Sequence, residues 1–260
     1  MIISHLVVYH RRSLYACALT CRSWYIAAAP HLHHTFVLIG NPCLIHRMRL
    51  REPKPFREAS ELGLLPLVKT LRIYEIHAKY EISSKLLNRC TLHHFSRFRN
   101  VQELGIDYMD VPSFLPKIQH NLGHFLPTVR SLALRGPRGS CRQIVFFIGM
   151  FRHLQDLKLL YNYRSMQKFA GSSIVLPLPL THPTPPLRGR LTMTCFTRVG
   201  ILEAMVEMFG GIRFRQMDLF DVCGMRLLLD ASASTLQTLR LYQNDPRGEG
   251  VSPKVAIPTY

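Results

Sequence analysis

The feature that most constrains this chain is a short apolar spacing, apolar-x-x-Leu-x-Leu or close to it, which recurs seven times. The copies are Val68/Leu71/Ile73, Val101/Leu104/Ile106, Val129/Leu132/Leu134, Leu154/Leu157/Leu159, a degraded Leu191/Met193 after Leu187, Phe214/Met217/Leu219 and Leu236/Leu239/Leu241. Residues two apart share one face of a strand, so each copy predicts a short strand with one apolar face. The stretch from Leu126 to Leu160 holds two copies. Between them lie a turn-forming GPRGS, Gly136 to Ser140, and an apolar segment, Ile144 to Phe151, long enough for two helical turns. Such a strand–turn–helix unit cannot bury its own apolar face and must stack against a copy of itself.

The second apolar positions fall at 71, 104, 132, 157, 191, 217 and 239, giving intervals of 33, 28, 25, 34, 26 and 22 residues. These straddle the range of roughly 20–29 residues typical of leucine-rich repeats, with two long outliers. Asn follows at the usual place only as Asn162 and Asn244. The expected fold is α/β: an irregular leucine-rich-repeat solenoid with a parallel sheet over 67–244, behind a short helical head. The competing reading, a βαβ sheet whose strands share a pattern by chance, requires seven coincidences. Helices are expected over Ile82–Phe95, Val111–Leu126, Val199–Phe209 and Cys223–Ala233, where apolar residues recur at i, i+3/i+4, and a shorter one over Phe56–Leu65.

Strand alternation assigns the side chains of the concave face. If Leu132 and Leu134 point into the core, the inner surface carries Arg72, Tyr74, Asp107, Arg135, Asp156, Lys158, Asp218, Phe220, Arg240 and Tyr242. Both charge signs and three aromatics suit a protein partner better than a phosphate backbone. The same positions are where an unused, solvated face would lie.

Charge bears on the partner. Lys and Arg total 33 against 16 Asp and Glu, a formal net charge of +17, which favours anionic partners. Arg supplies 25 of the 33, scattered along the chain, whereas nucleic-acid binding calls for a basic run or stripe. With 47% hydrophobic and 19% charged residues the chain reads as folded, with a substantial core. Seven unevenly spaced Cys (17, 21, 43, 90, 141, 195, 223) suggest free thiols in a reducing compartment, hence a cytoplasmic or nuclear location. No apolar run reaches the roughly 18 residues of a membrane span. There is no Gly-rich phosphate loop, GxSxG elbow, HExxH or recognisable carboxylate pair, so neither catalysis nor a cofactor is expected.

The head reads RSLYACALTCRSWYIAAAPHLHHTF from Arg12 to Phe36. Leu14, Cys17, Ala18 and Cys21 fall at helical spacing, Ala27 to Ala29 favour a second helix, and Pro30 marks its expected break. Ile2, Ile3 and Leu6 suggest the last turns of an earlier helix. Leu14-x-x-Cys17-Ala18-Leu19-x-Cys21-Arg22-Ser23-Trp24, followed by Ala28-x-Pro30-x-Leu32 and Phe36, resembles the second half of an F-box, in particular the F-box-like heads of large fungal protein families. The resemblance covers roughly the first 36 residues. It implies helices docking on the Skp adaptor of a cullin–RING ubiquitin ligase, with Ile3, Leu6, Leu14, Leu19 and Trp24 as the apolar anchors and the repeat region holding a protein substrate. The Leu-Pro pair and acidic residue that open the family's first helix have no counterpart, and Tyr9-His10-Arg11-Arg12 replaces the acidic residues common after it, so the expectation is an F-box cut short at its N-terminus. Cys17 and Cys21 with His31, His33 and His34 have the chemistry of a zinc site, but cysteines at i, i+4 on a packed helix face are more often core, and no metal is expected. No Asp or Glu precedes Glu52, a trait shared with mitochondrial presequences, although F-box-like helices account for the segment better.

The expected organisation is therefore a head over 1–40, a connector over 41–66, the array over 67–244 with a Pro-rich loop at 171–186, and a flexible tail over 245–260. The loop contains a PxxP, Pro183 to Pro186, read more simply as a surface loop than as a ligand. A non-enzymatic ubiquitin-ligase substrate adaptor is the expected function. A basic nucleic-acid-associated protein, or a scaffold that has lost adaptor binding, is the alternative.

Overall fold

A computed structural model of the chain describes residues 11–40, 54–75, 95–108, 111, 122–123, 125–137, 139–160, 187–194, 199–208, 212–220, 225–242 and 253–258. Its centre is one nine-stranded sheet whose spatial order is the chain order. The strands are β1 (Thr35–Gly40), β2 (Thr70–Glu75), β3 (Glu103–Asp107), β4 (Ser131–Arg135), β5 (Asp156–Leu160), β6 (Leu187–Thr194), β7 (Ile212–Phe220), β8 (Thr238–Tyr242) and β9 (Pro253–Pro258). The first eight are parallel, each beside its predecessor, and β9 closes the edge antiparallel to β8.

The second and third apolar positions of every copy lie on a strand, and the register brings equivalent positions side by side. Leu71, Leu104, Leu132, Leu157, Leu191, Met217 and Leu239 form one continuous cross-strand ladder. Ile73, Ile106, Leu134, Leu159, Met193, Leu219 and Leu241 form a second ladder two residues on. The whole first ladder is buried, and so is the second except for the half-buried Leu241. Each fully buried leucine contributes about 1.5–3 kcal/mol relative to an exposed one, and a one-residue slip would turn the whole ladder to solvent. Both ladders belong to one core cluster that runs from Leu38 to Leu239.

Among the described residues six helices flank the strands: α1 (Arg11–Thr20), α2 (Arg22–Leu32), α3 (Lys54–Glu61), α4 (Cys141–Gly149), α5 (Val199–Met208) and α6 (Met225–Ser232), with a 3-10 turn at Leu65–Leu67. The apolar segment after GPRGS becomes α4. Its first turn is held by a capping box in which Ser140 Oγ accepts from the Gln143 N–H and the Gln143 side chain accepts from the Ser140 N–H. Helix α4 packs on α5, α5 on α6, and α6 against β7. The crossovers before β4 and β3 rest on Phe95, Phe98 and Phe125. These rings are fully buried, with centroids 6.0–6.4 Å apart.

Four expectations are corrected. Thr35–Gly40, assigned to the head, is the first strand of the sheet: Phe36 and Leu38 lie opposite Leu71 and Ile73, and the position matching Val68 holds the polar His33, which hid the pattern. Pro30 does not break the second helix, because it lies in the last turn and interrupts the hydrogen-bond ladder only two residues before Leu32 ends it. The tail is not wholly flexible, since Pro253–Pro258 pairs with β8 and covers that edge of the sheet. The helix expected to start at Phe56 begins at Lys54 and ends at Glu61. Ile3, Leu6, the Pro-rich loop 171–186 and most of the helices expected at 82–95 and 111–126 lie outside the described residues.

Gly189 is required by the fold. It sits at the bulge where β6 shifts register against β7, with φ +91, and a Cβ there would lie 2.0 Å from the Gln155 carbonyl oxygen. Only glycine allows this approach of β6 to the residue preceding β5.

Candidate functional site

Parallel sheets usually have both faces covered. Here the ladders and α4–α6 occupy one face, while the other carries exposed and half-buried polar side chains. The register arranges them in three rows. The first runs Thr70–Glu103–Ser131–Asp156–Arg190–Gln216–Thr238, the second Arg72–Gly105–Ala133–Lys158–Thr192–Asp218–Arg240, and the third Asp107–Arg135–Leu160, then Thr194–Phe220–Tyr242.

The rows are internally bonded. Thr70 Oγ1 donates to Glu103 Oε2 at 3.1 Å, Ser131 Oγ donates to Asp156 Oδ2 at 3.1 Å, and Lys158 Nζ lies 3.2 Å from that same oxygen. Arg190 places Nε and one terminal nitrogen 2.8 and 2.5 Å from Asp218 Oδ2. Arg240 approaches Asp218 Oδ1 at 3.8 Å, so two guanidiniums flank one carboxylate whose side chain is 3% exposed. Phe220 and Tyr242 stack with centroids 4.2 Å apart and planes 8° apart, a flat aromatic platform at the strand C-termini. Asp107 lies 3.9 Å from Arg135. Burial pushes its carboxyl above the ordinary value, and the opposing guanidiniums of Arg135 and Arg72 offset this only in part.

Among the described residues, Asp156 Oδ1, Thr192 Oγ1 and Asp218 Oδ1 are buried without a hydrogen-bond partner. An unsatisfied buried polar atom costs about 1–3 kcal/mol. Three of them on adjacent strands β5 to β7 mark a patch that is not optimised for stability alone.

Of the concave-face residues expected from alternation, Arg72, Arg135 and Arg240 are exposed, and Asp107, Asp156, Lys158, Phe220 and Tyr242 are half-buried. Asp218 is on the same face but buried beneath its arginines. Tyr74 lies on β2, and its side chain is outside the described residues. Arg190 was missed. Counting back one position from Leu191 would have found it, but the apolar lead of the degraded copy, Leu187, is four residues upstream instead of three and left the phase unfixed.

Ahead of β1 in the chain, α1 and α2 pack on each other around a separate cluster of Leu14, Ala18, Ala28 and Leu32. Leu14 is 1% exposed and holds the head together, whereas Leu19 is 87% exposed and Trp24 half-buried. Tyr15, Tyr25 and Ile26, not singled out in the sequence, join Leu19 among the exposed large hydrophobics. Cys17 is half-buried, Cys21 is the exposed N-cap of α2, and both thiols are free. Among the described residues no group of three or more His, Cys, Asp or Glu is placed to hold a metal, and no helix is long and apolar enough to cross a membrane. The sequence matches no family model, and comparison with curated proteins gives no match.

Proposed function

We propose that this chain is a non-enzymatic interaction protein of F-box-like and leucine-rich-repeat type: the α1–α2 head docks on a Skp-type ubiquitin-ligase adaptor and the open sheet face holds a protein substrate. The observation that carries the first half is where exposed apolar surface lies. Of the seven exposed large hydrophobics among the described residues, four (Tyr15, Leu19, Tyr25 and Ile26) are on the head. Tyr15 and Leu19 are i, i+4 on α1, offset by one from Leu14 and Ala18, so the helix has an inward and an outward apolar edge. A two-helix unit with an outward apolar edge suits helix-in-groove docking, in which a few apolar anchors fill pockets on the partner.

The second half rests on the open face. It mixes both charge signs with an aromatic platform and partly unsatisfied polar groups, the composition of a protein-binding surface with aromatic anchors and arginines. A duplex phosphate backbone would instead call for uniformly positive rows.

The test is retention of purified Skp-type adaptor by the full chain. Wild type should retain it; Leu19→Ser and Trp24→Ala should lose it with an unchanged urea midpoint. No retention by wild type, or retention unaffected by both substitutions, would remove the adaptor reading and leave a scaffold.

A further inference from the structure

The residues at and just before the strand N-termini, next to the first polar row, line a cavity of about 810 Å³. Four arginines line it: Arg99 before β3, Arg130 before β4, Arg152 before β5 and Arg188 at the start of β6. Among the described residues no Asp or Glu lines it, and Pro127 and Leu154 add an apolar portion. All four arginines are exposed, and among the described residues none has an acidic partner. The carboxylates at the start of the neighbouring strands are engaged elsewhere, Glu103 by Thr70 and Asp156 by Ser131 and Lys158.

The walls are built firmly. The Arg130 N–H donates to the Gln102 carbonyl at 2.8 Å, Gln155 N–H to the Arg130 carbonyl at 2.7 Å, and Arg190 N–H to the Gln155 carbonyl at 2.7 Å, extending the sheet ladder beneath the pocket. Asn100 Nδ2 donates to the Pro66 carbonyl at 2.8 Å, and Phe98 and Phe125 brace the segments that carry Arg99 and Arg130. Arg188 also lies directly opposite Arg213 across β6 and β7, and like charges so placed destabilise a sheet. Cations gathered on such a frame form a site suited to an anion.

Charge and volume set the class of that anion. Four guanidiniums are poorly matched by one phosphate monoester of about −1.5 to −2, and a cavity of this size is within the roughly 300–1,000 Å³ of small-molecule sites. Arginine's planar fork suits bidentate contact with phosphate oxygens. We infer that the cavity at the N-terminal ends of β3 to β6 binds a compact polyphosphate anion, one carrying two or more adjacent phosphoryl groups, through Arg99, Arg130, Arg152 and Arg188. This site adjoins the first row at the strand N-termini, involves no residue of the head, and stands whether or not the adaptor is bound.

The experiment is calorimetric titration of the full chain with inorganic tripolyphosphate at about 0.15 M salt, alongside orthophosphate and a ten-nucleotide single-stranded RNA. Tripolyphosphate should saturate at one equivalent, raise Tm by mass action, and bind more tightly than orthophosphate. Arg130→Gln combined with Arg152→Gln should weaken it at least about tenfold, and Arg99→Gln should weaken it less. Arg226→Gln on α6, whose side chain is 95% exposed, should leave it unchanged. All these changes are at exposed side chains, and a melt in the absence of ligand checks that each variant is folded. Absence of saturation, or equal weakening by Arg226→Gln, would reduce the site to bulk charge and overturn the inference. Tighter binding of the RNA than of tripolyphosphate, lost in the same double variant and falling steeply with salt, would overturn the compact ligand in favour of nucleic acid.

Discussion

The sheet and the helical head face the same problem, burying leucine on one side of a short element, and they meet it on very different scales. In the sheet every strand hands its apolar ladder to the next, so Leu132 is covered by Leu104 and Leu157 from either side, and the cluster extends from Leu38 to Leu239. In the head, among the described residues, Leu14, Ala18, Ala28 and Leu32 close on one another. A stacked array grows its core with each unit, whereas two isolated helices have almost none and leave Tyr15, Leu19, Tyr25 and Ile26 outside. Stability is therefore expected to reside in the sheet, with the head free to present apolar surface.

The largest test of that contrast is Leu132→Ala or Leu157→Ala. Each should cost about 2–5 kcal/mol in a urea melt, because neighbours on both sides prevent collapse of the cavity. Leu14→Ala should instead leave the global midpoint nearly in place while speeding hydrogen exchange of amides in 11–32 only. If Leu14→Ala shifted the midpoint as far as Leu132→Ala does, head and sheet would be one cooperative unit and the contrast would fail.

Gly189→Ala probes how tightly successive units must approach. The new Cβ meets the Gln155 carbonyl and the backbone is at φ +91, so a loss of about 1–3 kcal/mol is expected. A neutral result would show that β6 can retreat from β5 at no cost. Ser140→Ala removes the cap of α4 and should cost about 1 kcal/mol in the same melt. The head offers a built-in comparison, since Cys21 at the N-cap of α2 makes no side-chain hydrogen bond and Cys21→Ser should stabilise that helix slightly.

The smallest effect concerns Asp107. Its carboxyl holds a proton more tightly folded than unfolded, so its contribution to stability is full below about pH 4 and is lost as pH rises through the raised folded value. Asp107→Asn removes that loss. The Tm of the variant relative to wild type should rise with pH and level off above the folded value. A difference that falls with pH would mean that Arg135 and Arg72 outweigh burial.

Much of the sheet was legible because its information is local and repeated. A period of two within each copy sets which residues face inward, and seven copies averaged away the irregular spacing between them. Leu71, Leu104, Leu132 and Leu157 needed no structure to be paired. The outward positions Arg72, Arg135, Lys158 and Arg240 followed from the same parity. Where a copy lacked its apolar lead or had it displaced the reading stopped, at His33 before β1 and at Gly189–Arg190 in β6. The edge strand β9 was hidden because Pro and Gly around it read as a tail, and a Pro at the end of an edge strand costs no ladder bond that is needed.

The sequence by itself determined the alternation, the positions of β2 to β8 and the positive charge, because each depends on residues close together in the chain. Only the tertiary structure decided which side chains from different units meet. Arg190 and Arg240 converge on Asp218 from 28 and 22 residues away, and Phe220 stacks on Tyr242 across a crossover. Arginines that look scattered at 99, 130, 152 and 188 line one cavity because successive crossovers return each to the same edge of the sheet. Parity within a strand is set by backbone geometry. Proximity between strands is set by the lengths of crossovers that sequence periodicity does not encode.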